Sequence, residues 1–333
     1  MKYRGLLGSL ALLAVMALVP LFVSDDSLHV LILILFFAFL SQAWNIMSGY
    51  SGQFSFGHAA FFGTGAYLST MLFVKYQVTP WMGLFVGAAV AMLVGLFIGF
   101  LSFRYKLKGA YFALATLAFA EILRIIVQNT ELLNKTMGFL IPLNMEPKWF
   151  QFEYRFGYYY IVLAMVALIT LLVYMISRSR LGYSLVAIRE NEDAAQSLGV
   201  NTYRNKMIAV AISSALTAVG GTFYAQYIMF IEPPMVFSSD MSVNILLPAI
   251  IGGVGTVFGP IVGAFLIIPL GELTTMYLGN FAGANLIAYG IIMLLIILYL
   301  PEGLVGWYQN RKNKKRQAFE QEPVQKNGVK NIA

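Results

Sequence analysis

The chain has no cysteine and few charged or histidine residues. Among its 333 residues only two are His, and charged residues make up 11%. The missing cysteine excludes disulfide bonds, thiolate metal sites and cysteine nucleophiles. Because His29 and His58 lie far apart in the sequence, we expect no metal site. Little titratable chemistry remains for an enzyme, and we expect neither catalytic residues nor a cofactor.

Long runs without charge dominate the rest of the chain, which is 59% apolar. Several runs reach the roughly 20 apolar residues that a helix needs to cross a bilayer, which favours helices over a membrane barrel. We therefore predict an all-α integral membrane protein in contact with lipid, a polytopic bundle of about ten transmembrane spans with possible broken or re-entrant helices. The candidate spans are roughly 5–23, 28–47, 54–74, 80–102, 109–129, 158–176, 207–229, 241–256, 260–278 and 284–300.

The first candidate span resembles a signal peptide, with a charged start before an apolar stretch. However, "PLFVSDDS" offers a poor small-x-small cleavage site. We interpret the segment as a retained first span of the mature protein.

Basic residues predict the orientation, since Lys and Arg are enriched in cytoplasmic loops. Four clusters contain Lys2 and Arg4; Arg104, Lys106 and Lys108; Arg178, Arg180, Arg189, Arg204 and Lys206; and Arg311, Lys312, Lys314, Lys315 and Arg316. All four are expected in the cytoplasm of a bacterium, with both termini, so the protein would be a multi-pass protein of the inner membrane. This placement explains the net charge of +7 without nucleic acid.

The charge pattern also divides the chain into two domains. Residues 1–306 form the predicted transmembrane domain, with a cytoplasmic loop at 177–206, and 307–333 form a hydrophilic tail that we expect to be disordered. The outside receives Asp25, Asp26 and the segments 130–157 and 232–240.

Two glycine-rich stretches interrupt the spans. An even number of crossings between cytoplasmic clusters requires 241–278 to cross twice or to re-enter, and "GGVGTVFGP" (252–260) makes one continuous helix improbable. The stretch 48–67 contains a similar Phe-Gly pair, which hints at an internal repeat as in transporters. Close helix packing explains small residues more simply, and we favour it. The alternative places Gly52, Phe56, Gly57, Gly253, Gly255 and Gly259 on a translocation path.

Charged residues within spans are costly and usually functional. Glu121 and Arg124 are three residues apart on one predicted helix, so they can neutralise each other. We favour a structural ion pair over a substrate contact for Glu121, and the role of Glu272 is open. Both glutamates are candidates for the path.

The most charged loop is "RLGYSLVAIRENEDAAQSLGVNTYRNK" (180–206). Asn191 is a good N-cap, acidic residues follow it, and Gly199 stands where a helix would end, so 191–199 predicts a two-turn helix. Asn201 or Thr202 would cap the next span. Such a short helix is marginal in water and must dock on something. Ala194, Ala195 and Leu198 give it a thin apolar side, suited to a groove in another protein, although a merely solvated connection is the simpler alternative.

The loop also resembles a known pattern. Asp193-Ala194-Ala195 followed by Gly199 is similar to the "EAA---G" loop of ABC importer permeases, with Asp in place of Glu and without the usual downstream "I-LP". Four ordered blocks narrow the resemblance to LivM-type permeases of branched-chain amino acid transporters. They are "WNIMSGYSGQFSFGHAAFFGTGAY" (44–67), "LKGAYFALATLAFAEILR" (107–124), "SRLGYSLVAIRENEDAAQSLGV" (179–200) and "PAIIGGVGTVFGPIVGA" (248–264).

The resemblance implies a transport subunit that works with two cytoplasmic ATPases, a second permease and an extracytoplasmic binding protein. Leucine, isoleucine or valine would be its small-molecule substrate. The absence of a G-x-x-x-x-G-K-[ST] loop agrees with ATP hydrolysis by partner subunits. The residues implied in coupling are Glu190, Glu192, Asp193, Ala194, Ala195, Leu198 and Gly199. One departure is "NKTMGFLIPL" (134–143), which keeps little of the family's Gly- and Thr-rich segment there.

Three alternatives remain at this point. Urea or a short amide is small and neutral like the expected substrate. A proton-coupled secondary transporter would use Glu121 or Glu272 as its proton carrier. An intramembrane enzyme ranks below both.

Overall fold

A computed structural model describes residues 16–278, 283–299 and 303–306. Its helices are α1 (Asp25–Trp44), α2 (His58–Tyr76), α3 (Pro80–Arg104), α4 (Ala110–Asn129), α5 (Arg155–Ser177), α6 (Arg180–Glu190), α7 (Glu192–Ser197), α8 (Thr202–Ile228), α9 (Pro233–Val236), α10 (Ser239–Gly252), α11 (Gly259–Leu278) and α12 (Ala284–Tyr299). A π-helix (Asn45–Tyr50) continues α1, and short 3₁₀ turns occupy Val19–Leu21, Glu131–Leu133, Lys135–Met137 and Pro147–Trp149. The helical fold class is confirmed. Most of the predicted first span and the tail 307–333 lie outside the described residues.

Seven helical segments are long and apolar enough to cross a membrane within the described part of the chain. They are Asp25–Tyr50, Pro80–Arg104, Ala110–Asn129, Arg155–Ser177, Thr202–Ile228, Pro233–Gly252 and Gly259–Leu278. The helices α2 and α12 are not among them. The structure therefore supports a polytopic membrane protein, whereas the expected number of about ten spans is not confirmed.

Helix α1 lies at the centre of the bundle. It packs against α5, α8, α10 and α11, and 78% of its apolar window is buried inside the protein. A helix that is apolar all round is typical of such a buried position. On the far side, α8 packs against α2 and α3, while α4 lies at the periphery with 28% of its window buried.

The helix ends form two faces of different character. On the strand face, the two-residue strands β1 (Phe139–Leu140) and β2 (Phe230–Ile231) pair antiparallel, and Arg155 Nη1 donates to Asp25 O at 2.8 Å. The loop face carries α6, α7 and the α3–α4 linker. Lys108 Nζ lies 3.6 Å from Glu192 Oε2 on this face. Glu192 also pairs with Lys206. Two of the basic clusters that were expected on one side of the membrane thus meet at this glutamate.

The segment after β2 forms a helical hairpin. Helix α10 runs from near the strand face toward the loop face, and α11 returns. A Cβ added to Gly252 would stand 1.7 Å from Gly259 O, so only glycine permits this approach. The predicted glycine break is confirmed at residues 253–258, between two helices that pack on each other.

Candidate functional site

The loop face is built from three helices that each begin at a side-chain cap. Ser179, Asn191 and Asn201 accept hydrogen bonds from backbone amides in the first turns of α6, α7 and α8, at 3.2, 3.0 and 2.9 Å. The predicted cap at Asn191 is confirmed, and Gly199 follows α7 with a φ of 86°. Of the two predicted caps for the next span, Asn201 fills the role. Local capping therefore marks where each of the three helices begins. We call residues 180–206 the coupling region.

Helix α7 has an inner and an outer side. Ala195 is 3% exposed and packs within the chain, and the Glu192 side chain is 18% exposed. On the outer side Asp193 and Ala194 are exposed, and Leu198 just beyond the helix is 85% exposed. The thin apolar side expected from the sequence is therefore divided, since Ala195 faces this protein and Leu198 faces away from it.

Glu192 connects α7 with the rest of the bundle. Its Oε1 accepts from Lys206 Nζ of α8 at 2.5 Å, and its Oε2 lies 3.6 Å from Lys108 Nζ in the α3–α4 linker. Lys206 is 5% exposed, and its ammonium lies 4.6 Å from the ring centroid of Phe103. This lysine is thus stabilised by a carboxylate and an aromatic face in a place that water scarcely reaches.

The two glycine-rich stretches meet in space beside the coupling region. Asn45 Nδ2 donates to Thr256 O at 2.9 Å, and Asn45 Oδ1 accepts from Gly255 N at 2.8 Å. Gln42 also donates to Val257 O. We call residues 45–57 together with 253–258 the glycine junction. Its two segments are about 200 residues apart in the sequence. The Asn45 side chain joins them, because it bonds both to the Gly255 amide and to the Thr256 carbonyl.

Arg189 links the coupling region to the glycine junction. Its Nη1 donates to Gly49 O at 3.1 Å, and its Nη2 lies 2.8 Å from Glu190 Oε1. The side chain also lies against Gly52 and Gly255, where an added Cβ would stand 2.9 and 2.3 Å from it. The end of α6 is therefore fixed directly to both glycine stretches.

The remaining candidate path residues occupy packing positions. Gly57 lies against Thr116 of α4, whose hydroxyl also accepts from Phe56 N at 3.2 Å. Gly253 and Gly259 approach each other within the α10–α11 hairpin. These contacts agree with the packing interpretation of the glycines. Within the glycine junction, Phe56 and Gly57 therefore face α4, while Gly52 and Gly255 face Arg189.

His58 is buried where α2 begins and has a partner at each ring nitrogen. Ser213 Oγ donates to Ala43 O at 2.7 Å, so His58 Nε2 donates to Ser213 Oγ, 2.9 Å away. Nδ1 then accepts from Ser55 Oγ at 3.1 Å. The histidine thus joins α2 to α1 and α8.

The two candidate glutamates are not brought together. Arg124 donates to Glu121 through Nε at 2.9 Å and again through Nη2, and 47% of the Glu121 side chain is exposed. The ion pair that we favoured is confirmed. Glu272 is exposed on α11, and no ion pair among the described residues includes it.

Several residues of this site are not evident from sequence reasoning. Lys108, Lys206 and Arg189 count only as orientation signals, and Gln42 and Asn45 are not distinguished from other polar residues in apolar runs. Polar side chains near the end of an apolar run are the one signal that marks Gln42 and Asn45. Nothing in the sequence shows that either of them reaches 255–257.

A family model decides the class of the protein. The model for the permease component of branched-chain amino acid transport systems matches residues 27–300. The chain belongs to this family. The match covers the glycine junction, the coupling region and the spanning helices named above except for the first two residues of α1.

Curated relatives agree with this membership. The chain is 29% identical over 320 residues to the high-affinity branched-chain amino acid transport system permease protein LivM of Salmonella typhimurium, covering 89% of the chain and 74% of the relative. LivM of Escherichia coli K12 is 29% identical over 319 residues, covering 89% and 73%. LivH of the same Escherichia coli strain is 23% identical over 284 residues, covering 81% and 91%. No solved structure matches the chain significantly.

Proposed function

We propose that the chain is the membrane permease subunit of an ABC importer for branched-chain amino acids. It works with two cytoplasmic ATPases, a second permease and an extracytoplasmic binding protein. The observation that supports the ATPase contact is the outer side of α7 and the residue after it, where Asp193, Ala194 and Leu198 are exposed. A short helix with one large apolar side chain at its end fits a groove on a protein partner, because burial of that side chain offsets the cost of ordering it.

The translocation path runs along α4 in this proposal. Glu121 is exposed and Arg124 half-buried in the middle of a membrane-spanning helix, and a charged pair at that depth is costly against lipid. We infer that a second permease and the aqueous path between the two subunits cover this side of α4. Relatives named LivM and LivH both occur in Escherichia coli K12, and this chain is similar to each of them.

We also propose ten spans with both termini and the coupling region in the cytoplasm. The contact between the Lys108 cluster and the coupling region supports a shared side for these two clusters. Because the chain has no native cysteine, a single cysteine at Gln317 or Gln196 can be labelled directly. An impermeant thiol reagent should leave both unlabelled in intact cells and label both after permeabilisation. Labelling of either in intact cells contradicts this topology.

The ATPase contact is tested with Leu198→Arg. The Leu198 side chain is 85% exposed, so the substitution should leave the fold intact while abolishing binding of the ATPase. The variant permease should insert into the membrane and purify at the normal level, but the ATPase subunits should no longer copurify with it. Leu114→Arg is unsuitable as a control because it would place a charge inside a span. Glu131→Gln, on the strand face, is the matched surface variant. Retention of the ATPases by Leu198→Arg would refute the docking surface.

The substrate is tested by uptake of labelled leucine and labelled urea in cells with and without the gene. We expect loss of leucine uptake alone. If urea uptake falls while leucine uptake is unchanged, the substrate assignment is wrong and the transporter assignment stands. Uptake that survives ATP depletion while the proton gradient is held would instead indicate a secondary transporter.

A further inference from the structure

We propose that Glu192 is a positioning residue that transmits movement of α7 to α8 and to the linker before α4, rather than a contact for the ATPase. This inference rests on the proposed function, since it requires that an ATPase moves α7. It concerns the joint between Glu192, Lys206 and Lys108, which we call the ionic joint.

The orientation of Glu192 separates it from the outer side of α7. Its side chain is 18% exposed, whereas that of the adjacent Asp193 is 85% exposed. Because the Glu192 carboxylate is mostly enclosed and already pairs with Lys206 and Lys108, it is less accessible to a residue of another protein than that of Asp193. Asp193 shares Lys108, at 3.5 Å, but remains open to a partner.

The ionic joint provides the direct side-chain connections between α7 and the spanning helices. Among the described residues, the side-chain hydrogen bonds and ion pairs from α7 to the bundle all go to Lys206 and Lys108. Apart from these, α7 is held by burial of Ala195 and by its neighbours in the chain. Displacement of α7 therefore pulls on two defined points, one on α8 and one next to the start of α4.

The two lysines lie in different environments, so their connections to Glu192 differ in stiffness. Lys206 is enclosed between Glu192 and the Phe103 ring, so it makes a stiff connection that excludes water. The side chain of Lys108 is 51% exposed and lies two residues before α4 begins. Its connection is looser and can follow a moving carboxylate. Helix α4 also carries Glu121 and Arg124, so the linker connects the loop face to the side of the bundle on which we place the path.

The test uses the complete complex reconstituted with its ATPases in liposomes. Two variants disrupt the joint to different extents. Lys108→Met removes the connection to the linker at an exposed position. Glu192→Gln combined with Lys206→Met removes the connection to α8 and the Glu192–Lys108 ion pair without leaving a buried lysine unpaired, which protects folding. Glu131→Gln is the control, since it breaks an ion pair of 2.8 Å with Lys135 on the strand face.

Two measurements report transmission rather than stability. The first is the number of substrate molecules taken up per ATP hydrolysed, which should fall about tenfold in both joint variants while the ATPases still copurify. The second uses Ala118→Cys, an exposed position on α4, in the cysteine-free chain. The rate at which this introduced thiol reacts with a soluble thiol reagent should change when ATP is added to the parent complex. That change should disappear in the joint variants and remain in the Glu131→Gln control.

The outcomes separate this inference from the proposed function. If the parent chain does not bind or stimulate the ATPases, the proposed function fails. If the parent is coupled and both joint variants keep its transport per ATP and the ATP response of the introduced thiol, the inference is wrong. Loss of the ATPases from the joint variants alone would make Glu192 a docking residue and also overturns it. The same holds if the introduced thiol in a coupled parent does not respond to ATP.

Discussion

The coupling region and the glycine junction both interrupt helices, but different contacts hold them. In the coupling region each helix is capped from within, by a residue directly before it, as with Asn191 and α7. At the glycine junction, Asn45 pairs with the backbone of residues 255 and 256, far away in the sequence. Locally capped helices can move as units, whereas a junction sealed by distant contacts resists movement. Because Arg189 fixes the end of α6 to the junction, we expect motion in α7 and rigidity at the junction.

The largest effect is expected from Gly252→Val. Its Cβ would meet the carbonyl oxygen of Gly259 at 1.7 Å, so α10 and α11 would have to separate. We expect loss of the folded protein, measured as the yield of monodisperse protein after detergent extraction. Gly290→Ala is the control, because nothing in the described part of the chain outside its own helix backbone comes within 4 Å of its added Cβ. Normal yield of Gly252→Val would show that the hairpin adapts more than this contact allows.

Asn45→Ala tests the seal of the glycine junction. It removes two hydrogen bonds and leaves the Gly255 amide and the Thr256 carbonyl without these partners. We expect a loss of about 1–3 kcal/mol in the free energy of unfolding, since the two backbone groups are half-buried and each hydrogen bond contributes about 0.5–1.5 kcal/mol. Denaturant titration in detergent measures the change. Asn129→Ala, whose side chain bonds only within its own helix, should change stability far less.

Ala195→Arg tests the inner side of the coupling region. Ala195 is buried against its own chain, so a large charged side chain should displace α7. We expect a loss of about 1–3 kcal/mol from overpacking, together with loss of coupled ATP hydrolysis. The contrast with Leu198→Arg is informative, because that outer variant should lose the ATPase at unchanged stability. Equal stability for the two variants would contradict the division of α7 into two sides.

Gly199→Ala should have the smallest effect. Gly199 has a φ of 86°, and among the described residues none beyond its two chain neighbours comes within 4 Å of an added Cβ, so backbone strain is what opposes alanine. The expected loss is about 1 kcal/mol, with coupling largely retained. Thermal unfolding of the purified protein measures it. An unchanged melting temperature would show that the residue after α7 relaxes freely.

Sequence reasoning reaches the local features and stops at the distant ones. The caps, the break at 253–258 and the Glu121–Arg124 pair each depend on residues within a few positions, so spacing predicts them. The junction depends on Asn45 meeting residues 255 and 256, which no periodicity encodes. The inward orientation of Glu192 is also a tertiary result, because Lys206 lies 14 residues away on another helix. Helical patterning alone could not divide the apolar side of α7 between Ala195 and Leu198.

The central position of α1 has a consequence for biogenesis. Gln42 and Asn45 enter the membrane early in synthesis, and the backbone groups that satisfy them are translated more than 200 residues later. Until the α10–α11 hairpin arrives, two amide side chains stand in the bilayer without these partners, at a cost that rises in the absence of water. We therefore expect the end of α1 to be shielded from lipid during synthesis until the α10–α11 hairpin has been inserted.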